Sequence, residues 1–187
     1  MKTIIITIIH LSTLLLSPYI QAENKTTTNP NASNCLGCHG NNGNSSIPTT
    51  PSLAGQSASY IYNQLQAFKS GKRTNPIMQD IASNLEKQNI KELSRYFSTL
   101  KPKPSASGNS ALVKAGQEKI AMCQGCHGSS LQGRGNFPRL AGQQPEYIKK
   151  QLFNFKDRSR KGGAMNSISS SLSKQDIDEI AAYLSNL

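Results

Sequence analysis

The sequence predicts an all-α fold: two tandem helical domains related by internal duplication. Three observations predict it. The chain repeats itself at a fixed register, the apolar residues of each copy recur at helical spacing, and no segment shows the convincing alternation of a strand. Cys35-Leu-Gly-Cys38-His39-Gly40 returns as Cys123-Gln-Gly-Cys126-His127-Gly128, 88 residues later. After one residue is lost from the following loop, the register settles at 87. Pro51-Ser-Leu53-Ala-Gly-Gln56 then falls on Pro138-Arg-Leu140-Ala-Gly-Gln143. Tyr60, Gln64, Phe68, Arg73 and Met78 fall on Tyr147, Gln151, Phe155, Arg160 and Met165.

The segments follow in order. Residues 1–22 open with Lys2, continue as an apolar run from Ile4 to Leu16, break at Pro18 and end on the small residue Ala22. That is the layout of a cleaved secretory signal peptide, and the run is shorter than the roughly 18–20 residues of a membrane span. The mature chain is expected to begin near Glu23, outside the cytoplasm. A first domain is read over 23–100, a linker over 101–110 and a second domain over 111–187. Pro102, Pro104 and a Ser/Gly tail stop the linker from continuing a helix. In each domain Tyr60, Ile61, Gln64, Leu65 and Phe68, or Tyr147, Ile148, Gln151, Leu152 and Phe155, form the apolar and aromatic stripe of one helix. Gly71 and Gly162 are read as its stop signals, and Pro145 suits the first turn of the second copy. A closing helix carries Ile90, Leu93, Phe97 and Leu100, and again Ile177, Ile180, Leu184 and Leu187. Ser173 with Asp176 resembles a capping box. Halves of roughly 75–80 residues are usually marginal without a staple or a cofactor.

Cys-x-x-Cys-His supplies that cofactor, because it is the attachment sequence for c-type haem. Residues three and four apart are neighbours on a helical turn. Cys35 and Cys38 can therefore reach the two vinyl groups of one porphyrin, with His39 directed at the iron; Cys123, Cys126 and His127 repeat the arrangement. Zinc would need a second nearby pair of ligands, a thioredoxin-like redox pair would need an αβ framework, and plain disulfides leave the following His and Gly unexplained. Two covalently bound haem c groups are expected.

Counting donors gives the far side of each iron. The chain has three histidines. His10 leaves with the signal peptide, and the other two are already assigned. Of the remaining methionines, Met122 adjoins Cys123, whereas Met78 and Met165 lie 39 and 38 residues after their histidines at equivalent positions. They are the candidate distal ligands. A thioether ligand favours ferrous iron and a high potential, and two protein ligands leave no open position for oxygen or peroxide. Pro51 and Pro138 are read as carbonyl partners for the histidine Nδ1–H, against the alternative of plain turn prolines. Tyr60, Tyr147, Arg73 and Arg160 are left open between haem propionates, stripe packing and surface charge.

These motifs carry a resemblance. Each half resembles a small class I cytochrome c domain, and the duplicated order after a signal peptide is similar to the di-haem cytochrome c4 family, over essentially the whole mature chain. The resemblance implies a periplasmic electron carrier of a Gram-negative bacterium, relaying electrons from the respiratory chain to a terminal oxidase. The implied partners are a quinol-oxidising complex as donor and a terminal cytochrome oxidase as acceptor, with peripheral membrane association. It also implies two domains about a pseudo-twofold axis, with haem propionate edges facing each other. The first-half loop from Gly40 to Thr50 departs from its counterpart by one extra residue.

The formal charge is +11, of which Lys2 leaves with the signal peptide. Lys149, Lys150, Lys156, Arg158, Arg160 and Lys161 cluster before Met165, and are read either as a solvated face or as a docking surface for an acidic partner or membrane. Nucleic acid is excluded as a partner because the chain is exported and carries no recognisable module for it. An enzyme, such as a di-haem peroxidase or a sulfur-compound dehydrogenase subunit, would need an exchangeable iron and acid/base groups above it; the absence of spare histidines argues against one.

Overall fold

The computed structural model describes residues 30–106 and 109–187. The signal peptide over 1–22, the start near Glu23 and linker residues 107 and 108 lie outside the described residues. In the first half a 3-10 turn, Pro30–Ala32, leads into α1 (Ser33–His39), α2 (Ala58–Lys69), α3 (Pro76–Ser83) and α4 (Lys87–Thr99). The second half contains α5 (Ser110–Lys119), α6 (Ala121–His127), α7 (Pro145–Lys156), α8 (Ala164–Ser170) and α9 (Lys174–Ser185). Among the described residues the only bridge of strand type joins Arg134 to Phe137, so the fold is all-α.

Local chemistry sets the helix ends. Ser173 and Asp176 form a reciprocal capping box at the start of α9, and Glu86 with Asn89 forms its counterpart at α4. Pro145 opens α7, where its missing N–H costs no hydrogen bond. One stop signal is corrected. Gly71 follows α2 in the left-handed region at φ 72°, but at the same register position α7 is followed by Arg158, at φ 64°. Gly162 instead makes room for a side chain, since a Cβ there would come within 2.3 Å of the Phe155 ring.

The stripes become cores. Ile90, Leu93 and Phe97 are 0–2% exposed, and so are Ile177, Ile180 and Leu184. Helix α2 packs on α3 and α4, and α7 packs on α8 and α9 in the same way. Leu187 departs from its stripe: α9 ends at Ser185 and leaves that side chain exposed. Helix α5 lies closely on α9. Gly116 permits this, since a Cβ at that position would stand 2.1 Å from the Glu179 carbonyl oxygen.

The two halves meet in a set of reciprocal contacts, as a twofold relation between copies requires. Arg73 donates to Gln64 of its own half at 2.7 Å, and to Tyr147 and Gln151 of the other at 2.9 and 3.0 Å. Arg160 mirrors this on Gln151, Tyr60 and Gln64 at 2.7, 2.9 and 3.0 Å. Each guanidinium also lies over a ring of its own half, Phe68 at 4.6 Å and Phe155 at 4.5 Å. Hydrogen bonds to charged groups contribute roughly 1.5–3 kcal/mol each, so this network sets a definite relation between the halves.

Candidate functional site

Each candidate attachment motif forms one short helix. Cys35, Cys38 and His39 lie on α1, and Cys123, Cys126 and His127 on α6. Both helices end on a glycine at positive φ, Gly40 at 85° and Gly128 at 88°, whose N–H bonds back to Leu36 and Gln124. That turn stops the helix directly after the histidine. No disulfide joins any of the four cysteines. Burial pushes the Cys35 thiol up and the Cys123 thiol up to about 11.

The histidines are buried, with 7% and 6% exposure. His39 Nδ1 donates to the Pro51 carbonyl at 2.7 Å, and His127 Nδ1 donates to Pro138 at 2.8 Å. A carbonyl only accepts, so the proton is fixed on Nδ1 and the Nε2 lone pair is free for a metal. Burial lowers both histidine pKa values, opposed by these backbone bonds, and so keeps the rings neutral. The proline carbonyls are therefore histidine partners rather than plain turn residues. Two thiols, a neutral imidazole with its tautomer fixed and a methionine per half form a donor set that fits a covalently attached haem. Among the described residues no three His, Cys, Asp or Glu side chains converge on a metal of their own.

Met78 and Met165 lie in the first turns of α3 and α8, both half-buried. Among the described residues neither of these helices packs against the helix bearing the histidine; α3 lies on α2, and α8 on α7. The Asn75 side chain caps α3 by accepting from Met78 N at 3.0 Å, and Gly163, at φ 53°, precedes α8. Lys69 anchors the far end of α3 through the Ser83 and Leu85 carbonyls, and Lys156 does the same for α8 through Ser170 and Leu172. Met122, by contrast, is 55% exposed.

Three further pairs make contacts that the motifs did not foretell. Lys69 and Lys156 hold the methionine helices, Gln64 and Gln151 join the arginine network, and Gln56 and Gln143 bridge the two halves. All six recur in the repeat, which was the available signal. Gln143 pairs with both backbone groups of Ser52, and Gln56 with both of Arg139. Arg73, Arg160, Tyr60 and Tyr147 belong to neither a plain stripe nor a free surface, since they cross the domain boundary. Burial alone would raise the Tyr147 phenol, but the Arg73 and Arg160 charges outweigh it and hold its pKa below the ordinary value.

The members of the basic cluster before Met165 meet different partners. Lys149 pairs with Glu146 and with Asp178 at 3.6 Å, Lys156 caps α8, and Arg160 is drawn into the domain interface. Lys150, Arg158 and Lys161 remain exposed.

The model of the cytochrome c family matches the chain twice, over residues 28–101 and 113–187. The chain is 36% identical over 168 residues to cytochrome c4 of Pseudomonas aeruginosa, a match covering 82% of this chain and 83% of that protein. It is 34% identical over 171 residues to the thiosulfate dehydrogenase electron acceptor of Thiomonas intermedia, covering 83% and 79%. The solved structure of Acidithiobacillus ferrooxidans cytochrome c4 superposes with a TM-score of 0.76 at 38% identity, covering 83% of this chain and 99% of that one.

Proposed function

The chain belongs to the di-haem cytochrome c4 family, two cytochrome c domains in tandem that carry electrons on two covalent haem c groups, and on that premise we propose the residues and the partners. Cys35 with Cys38, and Cys123 with Cys126, supply the thioether links. His39 and His127 are the proximal ligands, and Met78 and Met165 the distal ones. Domain boundaries at 23–100 and 111–187, after a signal peptide over 1–22 and about a linker over 101–110, complete the organisation. The observation that carries this reading is the Nδ1 bond to a proline carbonyl in both halves, at 2.7 and 2.8 Å. It leaves each histidine only Nε2 with which to bind iron.

When bound, haem supplies a one-electron change between ferric and ferrous iron. The chain's residues hold that change to small rearrangement. The buried imidazole is oriented by the proline carbonyl, and α3 or α8, clamped at its far end by Lys69 or Lys156, fixes the methionine on its first turn. The reading is a periplasmic relay that takes electrons from a quinol-oxidising complex and delivers them to a terminal oxidase. A second reading, as the electron acceptor of a sulfur-compound dehydrogenase, is favoured by the likeness to the Thiomonas intermedia protein.

The ligand assignment is tested with Met78→Ala and Met165→Ala. Each variant should retain two haems by mass and open one iron to carbon monoxide, while the parent reduced protein binds none quickly. Carbon monoxide binding unchanged by either substitution would reject the assignment. The partner assignment is tested by adding the reduced holoprotein to oxidase-containing membranes. Oxygen uptake supports the respiratory relay; none, with rapid reduction by a thiosulfate dehydrogenase, supports the second reading.

A further inference from the structure

We propose that Gln143 and Gln56 are positioning residues that act across the domain boundary, each setting the histidine of the opposite half. The proposal rests on the haem-ligand reading of His39 and His127. Gln143 Oε1 accepts from Ser52 N at 2.7 Å, and its Nε2 donates to Ser52 O at 3.0 Å. Gln56 Oε1 accepts from Arg139 N at 2.7 Å, and its Nε2 donates to Arg139 O at 3.0 Å. Both glutamines are buried, at 7% and 5% exposure.

The geometry has a specific consequence. The Ser52 N–H and the Pro51 C=O belong to one peptide group, which is planar and rigid. Gln143 holds the N–H end of that plane from the second half, while His39 Nδ1 donates to the C=O end at 2.7 Å. The plane between Pro138 and Arg139 is held in the same way by Gln56 and His127, the latter at 2.8 Å. One glutamine bond meets the N–H of each plane and the other meets the carbonyl of the next peptide group. Together they pin the residue after the proline and, through its N–H, the plane on which the imidazole rests. The bonds also polarise one another. An amide whose N–H is engaged has a more negative oxygen and accepts more strongly. A stronger acceptor at Nδ1–H raises the donor power of Nε2 and so favours ferric iron. Each half therefore tunes the other's iron through a single peptide group. Removing Gln143 should raise the potential of the first-half iron, although Gln143 belongs to the second half.

The test uses the intact di-haem protein with Gln143→Leu, which keeps side-chain bulk and removes the hydrogen bonds, and Gln56→Leu as its mirror. Haem methyl resonances of the oxidised protein are assigned to a half by their contacts with the thioether protons of Cys35 and Cys38 or of Cys123 and Cys126. Gln143→Leu should move the first-half methyl shifts and raise the first-half potential, with the second-half set close to the parent; Gln56→Leu should do the reverse. Gln143→Glu keeps an acceptor facing Ser52 N and should return the first-half potential towards or below the parent value. Shifts confined to the substituted half, or absent from both, would overturn the proposal. A spectrum with no thioether-linked methyl sets would overturn the attachment reading and the proposal with it, a failure distinct from sets that assign cleanly and ignore the glutamines.

Discussion

At the scale of single residues, equivalent positions in the two copies are not interchangeable. Gly71 and Arg158 share one place in the repeat and one left-handed conformation, at φ 72° and 64°. An L-residue there costs roughly 1–2 kcal/mol, partly offset by the extra freedom glycine has in the unfolded chain, about 0.4–1 kcal/mol. Arg158→Gly should therefore stabilise the protein by about 0.5–1 kcal/mol, read as a higher Tm; an unchanged or lower Tm would contradict this. The surroundings of the two histidines differ as well. Phe137 stands edge-on to His127, with ring centroids 6.3 Å apart, and its place in the first half is taken by Thr50. Arg139 occupies the place of Ser52. The candidate ligands were legible in the sequence because cysteine, histidine and methionine are scarce and recur at one register. Gln56 and Gln143 recurred equally plainly, but a glutamine has no chemistry that announces a role until the opposite peptide group is seen beside it.

At the scale of elements, the sequence pattern specified the α2–α4 and α7–α9 packing, because the stripes at i, i+3 and i+7 are the residues now buried. The close approach of α5 to α9 was not legible. It depends on Gly116 meeting a backbone carbonyl, and a glycine in a helical pattern gives no hint of its partner. That contact is tied at one end by Lys119, which bonds Asp176 at 2.6 Å and Glu179 at 3.4 Å. Lys119, then Ser173, hold the Asp176 carboxyl well below the usual carboxylate range. The unfolded chain therefore takes up this proton first. The stability from Asp176 is fully present above the ordinary value of about 3.9, and is lost as pH falls below it towards the folded value. On acidification from about pH 5 to about pH 2.5, Tm should fall more steeply for the parent than for Asp176→Asn. Parallel Tm–pH curves would remove the ion pair from the account.

At the scale of the whole molecule, duplication has produced a single interdependent object. Linked domains move relative to each other by default unless the interface is large and hydrophobic. Here a polar interface achieves the restraint, through Arg73, Arg160, two tyrosines and four glutamines paired reciprocally. The repeat made two domains visible, but the contacts between them were not legible. Tyr60, Tyr147, Arg73 and Arg160 had three open readings because residues remote in sequence decide what a side chain meets. The partners of the basic cluster were hidden for the same reason: Lys149 pairs with Glu146 and Asp178, and Arg160 reaches across the domain boundary. On the proposed ligand set, both irons are closed by His and Met and serve as a relay. A potentiometric titration of the holoprotein followed by optical spectra tests it most directly. Two one-electron steps at high potential are expected, with a methionine–iron charge-transfer band in the oxidised protein that disappears on reduction. A high-spin iron in either half, binding carbon monoxide rapidly in the native reduced state, would contradict it.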